Sequence, residues 1–145
     1  MTEFAQIMQS LKEAGLFKGI KGKMLSKAKV ASITDYVPEK SYRPFEMKQC
    51  FSNSVKFQEM ARFQTDKVVY YCEGYVSHKN QIPIEHAWVM IGNKIYDPTF
   101  EHALGIPVEE INKEEYYLLK KYNYNEVINN LVKYEKYGPW FHKAA

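Results

Sequence analysis

The stretch that decides the fold is IEHAWVMIGNKIYDPT, residues 84–99. Its two halves are rich in β-branched and aromatic residues, and they flank Gly92-Asn93, a dipeptide that favours a two-residue hairpin turn. We therefore predict two antiparallel strands, over residues 84–91 and 94–98.

The turn fixes which residues of this hairpin face each other. Ile91 pairs with Lys94, and counting back along both strands pairs Trp88 with Asp97. Because side chains alternate between the two faces, His86 and Asp97 share a face and lie diagonal to each other, with backbones about 7–8 Å apart. An imidazole and a carboxylate can close that gap. The face that carries His86 is then expected to hold Trp88, Met90, Ile95, Asp97 and Thr99.

A second segment, residues 50–64, contains no Gly or Pro and repeats its inward positions at helical spacing, which predicts a helix beginning at Cys50. The first turn of a helix favours a thiolate, and its unpaired N–H groups can receive an oxyanion. The side-chain amide of Gln49 is a further candidate for that oxyanion site. Asn53 lies on the inward face, where a hydrogen bond in the site and a role in a helix cap or buried network both remain open.

Cysteine catalysis requires a thiolate, a base and a group that orients the base. Cys50, His86 and Asp97 supply these three groups. Each of the three alone has a simpler explanation. Cys50 is then a buried structural thiol, His86 a hydrogen-bonded residue at a strand end, and Asp97 a turn residue before proline. Their combination favours a catalytic role, and we expect Trp88 both to wall the site and to fill part of the core.

Three motifs stand in chain order: Gln49-Cys50-Phe51, His86-Ala87-Trp88 and Tyr96-Asp97-Pro98-Thr99. They resemble the core of the transglutaminase-like superfamily, a branch of the papain-like cysteine enzymes, over roughly residues 45–100. The resemblance implies acyl transfer through a thioester and leaves hydrolysis, deamidation and transamidation open. It is nearest to small bacterial and phage members, since the chain is far shorter than crosslinking transglutaminases.

The rest of the chain predicts flanking helices. We expect a helix over residues 2–16, a loop with one short strand over 17–44, a strand over 68–76 and a polar connection over 77–83. Two further helices are predicted over 108–122 and 125–137, with Asn112 or Asn125 as caps and Gly138-Pro139 as the stop. The predicted fold is one transglutaminase-like α+β domain, residues 1–145, with the nucleophile helix packed on a small antiparallel sheet.

Composition bears on the cellular compartment and on the cofactors that we expect. A chain of 145 residues with two cysteines needs no disulfide framework, so we expect Cys50 and Cys72 to be free thiols in a reducing compartment. The sequence contains no long apolar run, so we predict no membrane span. We expect the protein in the cytoplasm, or in the host cytoplasm if the chain is encoded by a phage. No metal or cofactor is predicted, because His78, His102 and His142 follow no ligand spacing.

Two rival functions remain open, and one of them is a nucleic-acid-associated protein that uses a cluster of lysines. Lys18, Lys21, Lys23, Lys27 and Lys29 cluster, yet no aromatic or Gly motif for base or phosphate contact accompanies them, so a solvated basic loop is the simpler interpretation. The other rival is a non-catalytic binding or inhibitor protein, encoded by a phage, that keeps the fold. The function we predict is a cysteine-dependent amide hydrolase or peptidase, deamidase or transamidase acting on a protein, peptide or amide substrate.

Overall fold

The computed structural model describes residues 2–17, 19–38, 45–77 and 82–143. These residues form α helices and a sheet, which confirms the predicted α+β class. The helices are α1 (Glu3–Glu13), α2 (Cys50–Ala61), α3 (Val108–Ile111) and α4 (Tyr124–Tyr134). The strands are β1 (Lys23–Met24), β2 (Lys29–Val30), β3 (Val69–Val76), β4 (Ile84–Ile91), β5 (Lys94–Tyr96) and β6 (Tyr116–Tyr122).

The strands make one six-stranded sheet in the order β1-β6-β3-β4-β5-β2. Every neighbouring pair is antiparallel except β2 and β5, which run parallel. The prediction of a small, purely antiparallel sheet is therefore wrong at this edge. The parallel partner comes from the segment over 17–44, whose described residues contribute two strands of two residues each, where one strand was predicted.

The sheet is strongly curled. β1 and β2 lie at opposite edges, and flat strands about 4.8 Å apart would separate them by about 24 Å. Residues 25–28 alone connect them, and five residue steps span at most about 18 Å. A register shift between Glu73 and Gly74, where β3 pairs with β6, adds to the curl. Gly74 is required there, because a Cβ would collide with the carbonyl of Tyr117.

The two faces of the curled sheet have different cores. The concave face holds a buried cluster of Cys72, Val76, Trp88, Ile95, Phe100, Ile111 and Tyr116, and the connecting segment packs on it through Leu25 and Ala28. The outer face packs against the helices, with Phe57 and Val55 from α2, Val127 from α4, and Phe4 and Met8 from α1. The site described below lies where α2 begins beside β4.

Several predicted elements are confirmed. α2 begins at Cys50, β4 spans the predicted residues, and the hairpin pairs Ile91 with Lys94 and Val89 with Tyr96 as expected. α1 is capped by Thr2, whose hydroxyl accepts a hydrogen bond from the Ala5 N–H. α2 ends at Ala61, three residues earlier than predicted, and β5 ends at Tyr96 because the chain enters a π-helical turn, Thr99–Ala103.

The predicted helix over 108–122 is wrong. Only α3 is helical there, and β6 follows it as an interior strand between β1 and β3. Tyr and Leu residues suit a strand as well as a helix, so pairing with distant strands decides the outcome. Of the two predicted caps, Asn125 is wrong, because Asn123 caps α4 in a capping box with Glu126. Asn112 stands at the C-cap position of α3, and its side chain accepts a hydrogen bond from the Val30 N–H.

Parts of other predictions lie outside the described residues. These are Lys18 of the basic cluster, His78, residues 39–44 of the long loop and residues 78–81 of the polar connection. Among the helices that are described, none combines the length and the apolar character needed to cross a bilayer.

Candidate active site

The centre of the candidate site is a buried pair, His86 and Asp97. Nε2 of His86 lies 2.7 Å from Oδ2 of Asp97, and the two residues are 2% and 0% exposed. The pair forms because the hairpin register puts both side chains on the concave face of the sheet. His86 is in β4, and Asp97 comes directly after β5, at the end of the paired region. The structure thus places this predicted pair in direct contact.

Asp97 is held by three donors. Besides His86, the Tyr116 hydroxyl donates to Oδ2 at 2.7 Å, and the Phe100 N–H donates to Oδ1 at 2.9 Å. Burial, followed by the charge of Asp97, raises the pKa of Tyr116 well above its ordinary value, so Tyr116 remains a hydroxyl donor. A carboxylate satisfied in this way is fixed in position, and it fixes the orientation of the imidazole in turn.

Tyr116 is a site residue that our sequence analysis missed. The predicted helix over 108–122 would have included Tyr116, but the structure has a strand at this position. As the first residue of β6, Tyr116 pairs with Val76 and therefore faces the concave side. The aromatic run Tyr116–Tyr122 is the signal that would have favoured a strand, although it does not identify Asp97 as the partner.

Cys50 opens α2 and is partly exposed. Its side chain lies near enough to the His86 ring to contribute to the raised pKa of that histidine. Because Nε2 is engaged by Asp97, Nδ1 is the ring nitrogen left for the sulfur. Burial acts to lower the pKa of His86, but the charge and hydrogen bond of Asp97, together with those of Cys50, outweigh it and raise the pKa above its ordinary value.

Aromatic rings fix the plane of the imidazole. The Phe100 ring stacks on His86 with centroids 4.6 Å apart and an interplanar angle of 23°. Trp88 lies on the same face, 6.3 Å from His86 and 5.0 Å from Tyr116, and it is fully buried. Trp88 thus packs beside the histidine within the core, and Phe100 is a second wall that the sequence did not suggest.

Asn53 connects two halves of the site, the approach to α2 with Cys50 and the turn that follows Asp97. Its buried side chain bonds the backbone of Glu46 twice, at 3.0 and 2.7 Å, and donates to Thr99 Oγ1 at 2.9 Å. These contacts tie the approach to α2 to the turn that follows Asp97. Of the two roles left open for Asn53, the geometry favours the buried network over an oxyanion contact.

Gln49 is exposed at the N-cap position of α2 and makes no side-chain capping bond. Its carbonyl accepts a hydrogen bond from the Asn53 N–H at 2.8 Å. Because the Gln49 side chain makes no capping bond, it does not compete for the first-turn N–H groups of α2, and such groups can stabilise an oxyanion. The structure does not bring the Gln49 amide to a defined partner.

The second cysteine, Cys72, differs from Cys50 in its position and its burial. Cys72 lies in the middle of β3, is completely buried, and packs with Trp88 and Tyr116. Burial raises the pKa of its thiol well above its ordinary value, so it is a protonated packing group. Both cysteines are free.

A metal centre is not evident in the described part of the chain, where no three His, Cys, Asp or Glu side chains gather as ligands would. His102 contacts the Phe45 ring, and His142 pairs with Glu85 at 2.9 Å. Comparison with known proteins adds nothing to the geometry: no family model, no curated protein and no solved structure matches the chain.

Proposed function

We propose that this protein is a cysteine-dependent acyl-transfer enzyme in which Cys50 is the nucleophile, His86 the base and Asp97 the orienting carboxylate. The observation that carries the proposal is the contact of His86 Nε2 with Asp97, which leaves the other ring nitrogen for Cys50 at a helix start. Together with the three sequence motifs, this arrangement also supports membership of the transglutaminase-like superfamily.

In the proposed reaction, His86 accepts the proton of the Cys50 thiol, and Asp97 holds the imidazole in one orientation. The thiolate attacks the carbonyl carbon of an amide or ester, and first-turn N–H groups of α2 stabilise the oxyanion. The carbon to leaving-group bond then breaks, His86 protonates the departing amine of an amide or alcohol of an ester, and a thioester remains on Cys50. Water or a second amine, deprotonated by His86, attacks the thioester and restores the thiol.

The electrostatics suit this chemistry. A raised pKa of His86 favours an imidazolium at neutral pH, and an imidazolium beside the sulfur favours the thiolate. The burial of Asp97 strengthens its interaction with the ring, because little water is present to screen it. The substrate class in this proposal is a protein, peptide or other amide, and the setting is the cytoplasm of a bacterium or of a phage-infected host.

Alkylation by iodoacetamide tests the nucleophile. At pH 6 an ordinary thiol, with a pKa of about 8.5, is well under about 1% thiolate. We expect Cys50 to react at least about tenfold faster than glutathione at this pH, and His86→Ala to remove that advantage. Peptide mapping locates the adduct, buried Cys72 is the internal control, and His142→Ala is the matched histidine control. Equal rates for Cys50 and glutathione, unchanged in His86→Ala, would refute the assignment.

An acyl-enzyme test separates catalysis from binding. p-Nitrophenyl acetate should release a burst of about one p-nitrophenolate per chain as the Cys50 sulfur takes the acetyl group. Mass spectrometry should find the acetyl group on the Cys50 peptide and not in Cys50→Ser. A reactive Cys50 that never acquires the acetyl group would instead favour a non-catalytic binding protein.

A further inference from the structure

The curled sheet has an open end away from the candidate active site. A cavity of about 520 Å³ lies there, within the range of about 300–1,000 Å³ usual for small-molecule sites. Met90 on its floor is four residues from His86 along β4, about 13 Å away, and fully buried Trp88 lies between them. The cavity is therefore separate from the proposed catalytic centre.

The floor of the cavity is apolar. Tyr70, Met90 and Leu118 come from the neighbouring strands β3, β4 and β6, and all three are only partly buried. The roof is the segment of residues 25–28 that joins the two edges of the sheet. A mouth of this kind, at the end of a curled sheet, is a common position for ligand sites.

Hydrogen bonds hold the roof at both ends, so the cavity is formed before any ligand arrives. The Leu25 N–H donates to the Tyr116 carbonyl at 3.0 Å. At the other end, Asn93 donates through Nδ2 to the Lys27 carbonyl at 3.2 Å, and the Lys29 N–H donates to the Asn93 carbonyl at 3.3 Å.

The rim carries charge of one sign. Lys23, Lys27 and Lys121 line the opening, and no lining residue is acidic. The Lys121 ammonium is held 4.4 Å from the centre of the Tyr70 ring, at the boundary between rim and floor. A cleft lined by cations alone concentrates anions, since the low-dielectric walls focus its field. Two lysines of the basic sequence cluster, Lys23 and Lys27, thus line the same cavity and face the same anion.

We propose that this cavity binds a small amphipathic anion. An aromatic or aliphatic body lies on Tyr70, Met90 and Leu118, and its carboxylate, sulfonate or phosphate group meets the lysines of the rim. The proposal is independent of the chemistry assigned to Cys50. A nucleic acid fits less well, because a cavity of this size, roofed by residues 25–28, suits one small ligand better than an extended phosphate backbone.

Two dyes of almost the same shape test the proposal on the full chain. 8-Anilinonaphthalene-1-sulfonate carries a negative charge, and N-phenyl-1-naphthylamine lacks it. We expect the sulfonate to bind saturably, one per chain. Lys23→Glu combined with Lys121→Glu should weaken sulfonate binding at least about tenfold while leaving the uncharged dye within about twofold.

Two controls make the result specific. Lys12→Glu combined with Lys136→Glu makes the same change in net charge at exposed sites away from the cavity and should leave both dyes unaffected. Met90→Trp fills the floor and should abolish binding of both dyes, with near-ultraviolet circular dichroism reporting the retained fold.

Three results would overturn the proposal. One is the lack of saturable sulfonate binding to the parent protein, and another is unchanged sulfonate affinity in the Lys23 and Lys121 double variant. The third is displacement of the sulfonate by mixed-sequence single-stranded DNA with a steep salt dependence, which would assign the lysines to a nucleic-acid backbone.

Discussion

The Tyr116 hydroxyl and the His86 imidazole share one oxygen, Oδ2 of Asp97, each at 2.7 Å. A phenol from the last strand of the sheet thus acts on the histidine through the carboxylate between them. Tyr116 is a positioning residue in this arrangement, because its hydroxyl bonds Asp97 and not the sulfur or the ring nitrogens of His86.

Removing this hydroxyl should change the titration of His86. In Tyr116→Phe the ring still packs on Trp88, but Asp97 loses one hydrogen-bond donor. Its negative charge is then less stabilised by other donors and interacts more strongly with the imidazole. We expect the pKa of His86, followed by NMR, to rise further, and unfolding free energy to fall by about 1–2 kcal/mol. Tyr117→Phe is the matched control, since the Tyr117 hydroxyl donates to the Lys21 carbonyl, at 3.4 Å, and not to Asp97. The same His86 titration in both variants would contradict the role.

Glu73 predicts a pH dependence of stability. Its buried carboxylate accepts hydrogen bonds from the Tyr71 hydroxyl, at 2.6 Å, and from the N–H groups of Trp140 and Phe141. Burial outweighs these bonds and raises the pKa of Glu73. A folded-state pKa above the unfolded value of about 4.3 means that the folded protein holds the proton longer, so this contribution to stability is lost as pH rises through the folded pKa.

Glu73→Gln should remove that part of the pH dependence, because the amide keeps the shape without titrating. Urea unfolding between pH 4.5 and 7.5 measures it, and the free energy of the parent should fall relative to Glu73→Gln by up to about 1.4 kcal/mol per pH unit. Glu115→Gln, at a partly exposed carboxylate, is the control. If the difference in unfolding free energy between the parent and Glu73→Gln is constant across this range, Glu73 has the same pKa in the folded and unfolded states and the prediction is wrong.

Asn53→Ala should weaken both halves of the site together. The variant leaves the Glu46 N–H and the Glu46 carbonyl without their side-chain partner and frees Thr99. We expect a loss of about 2–4 kcal/mol in unfolding free energy and slower alkylation of Cys50 at pH 6. Exposed Asn129 on α4 supplies the control Asn129→Ala. Alkylation at the parent rate would limit Asn53 to a purely structural role.

The predictable part of the structure is the local part. The pairing of Ile91 with Lys94 follows from a two-residue turn, and the contact between His86 and Asp97 follows from that pairing. The start of α2 at Cys50 follows from helical spacing within a dozen residues. These features depend on neighbours close along the chain, which is why the three candidate catalytic residues were accessible to sequence reasoning.

The remainder depends on distant partners. Tyr116 pairs with Val76 and bonds Asp97, and the parallel pairing of Lys29 with Lys94 joins residues that are far apart along the chain. Alternation and helical spacing contain no information about such pairs. Asn123 was missed for a smaller reason: two asparagines stand at 123 and 125, and the choice between them depends on where α4 begins.

The position of β6 has a consequence for synthesis on the ribosome. Among the strands of the described residues β6 is made last, yet it lies between β1 and β3, so β1 cannot join the sheet until β6 has been made. Asp97 likewise lacks its Tyr116 donor until β6 has been inserted. The hydrogen-bond network around His86 and Asp97 is therefore complete only after β6 has been synthesised and inserted between β1 and β3.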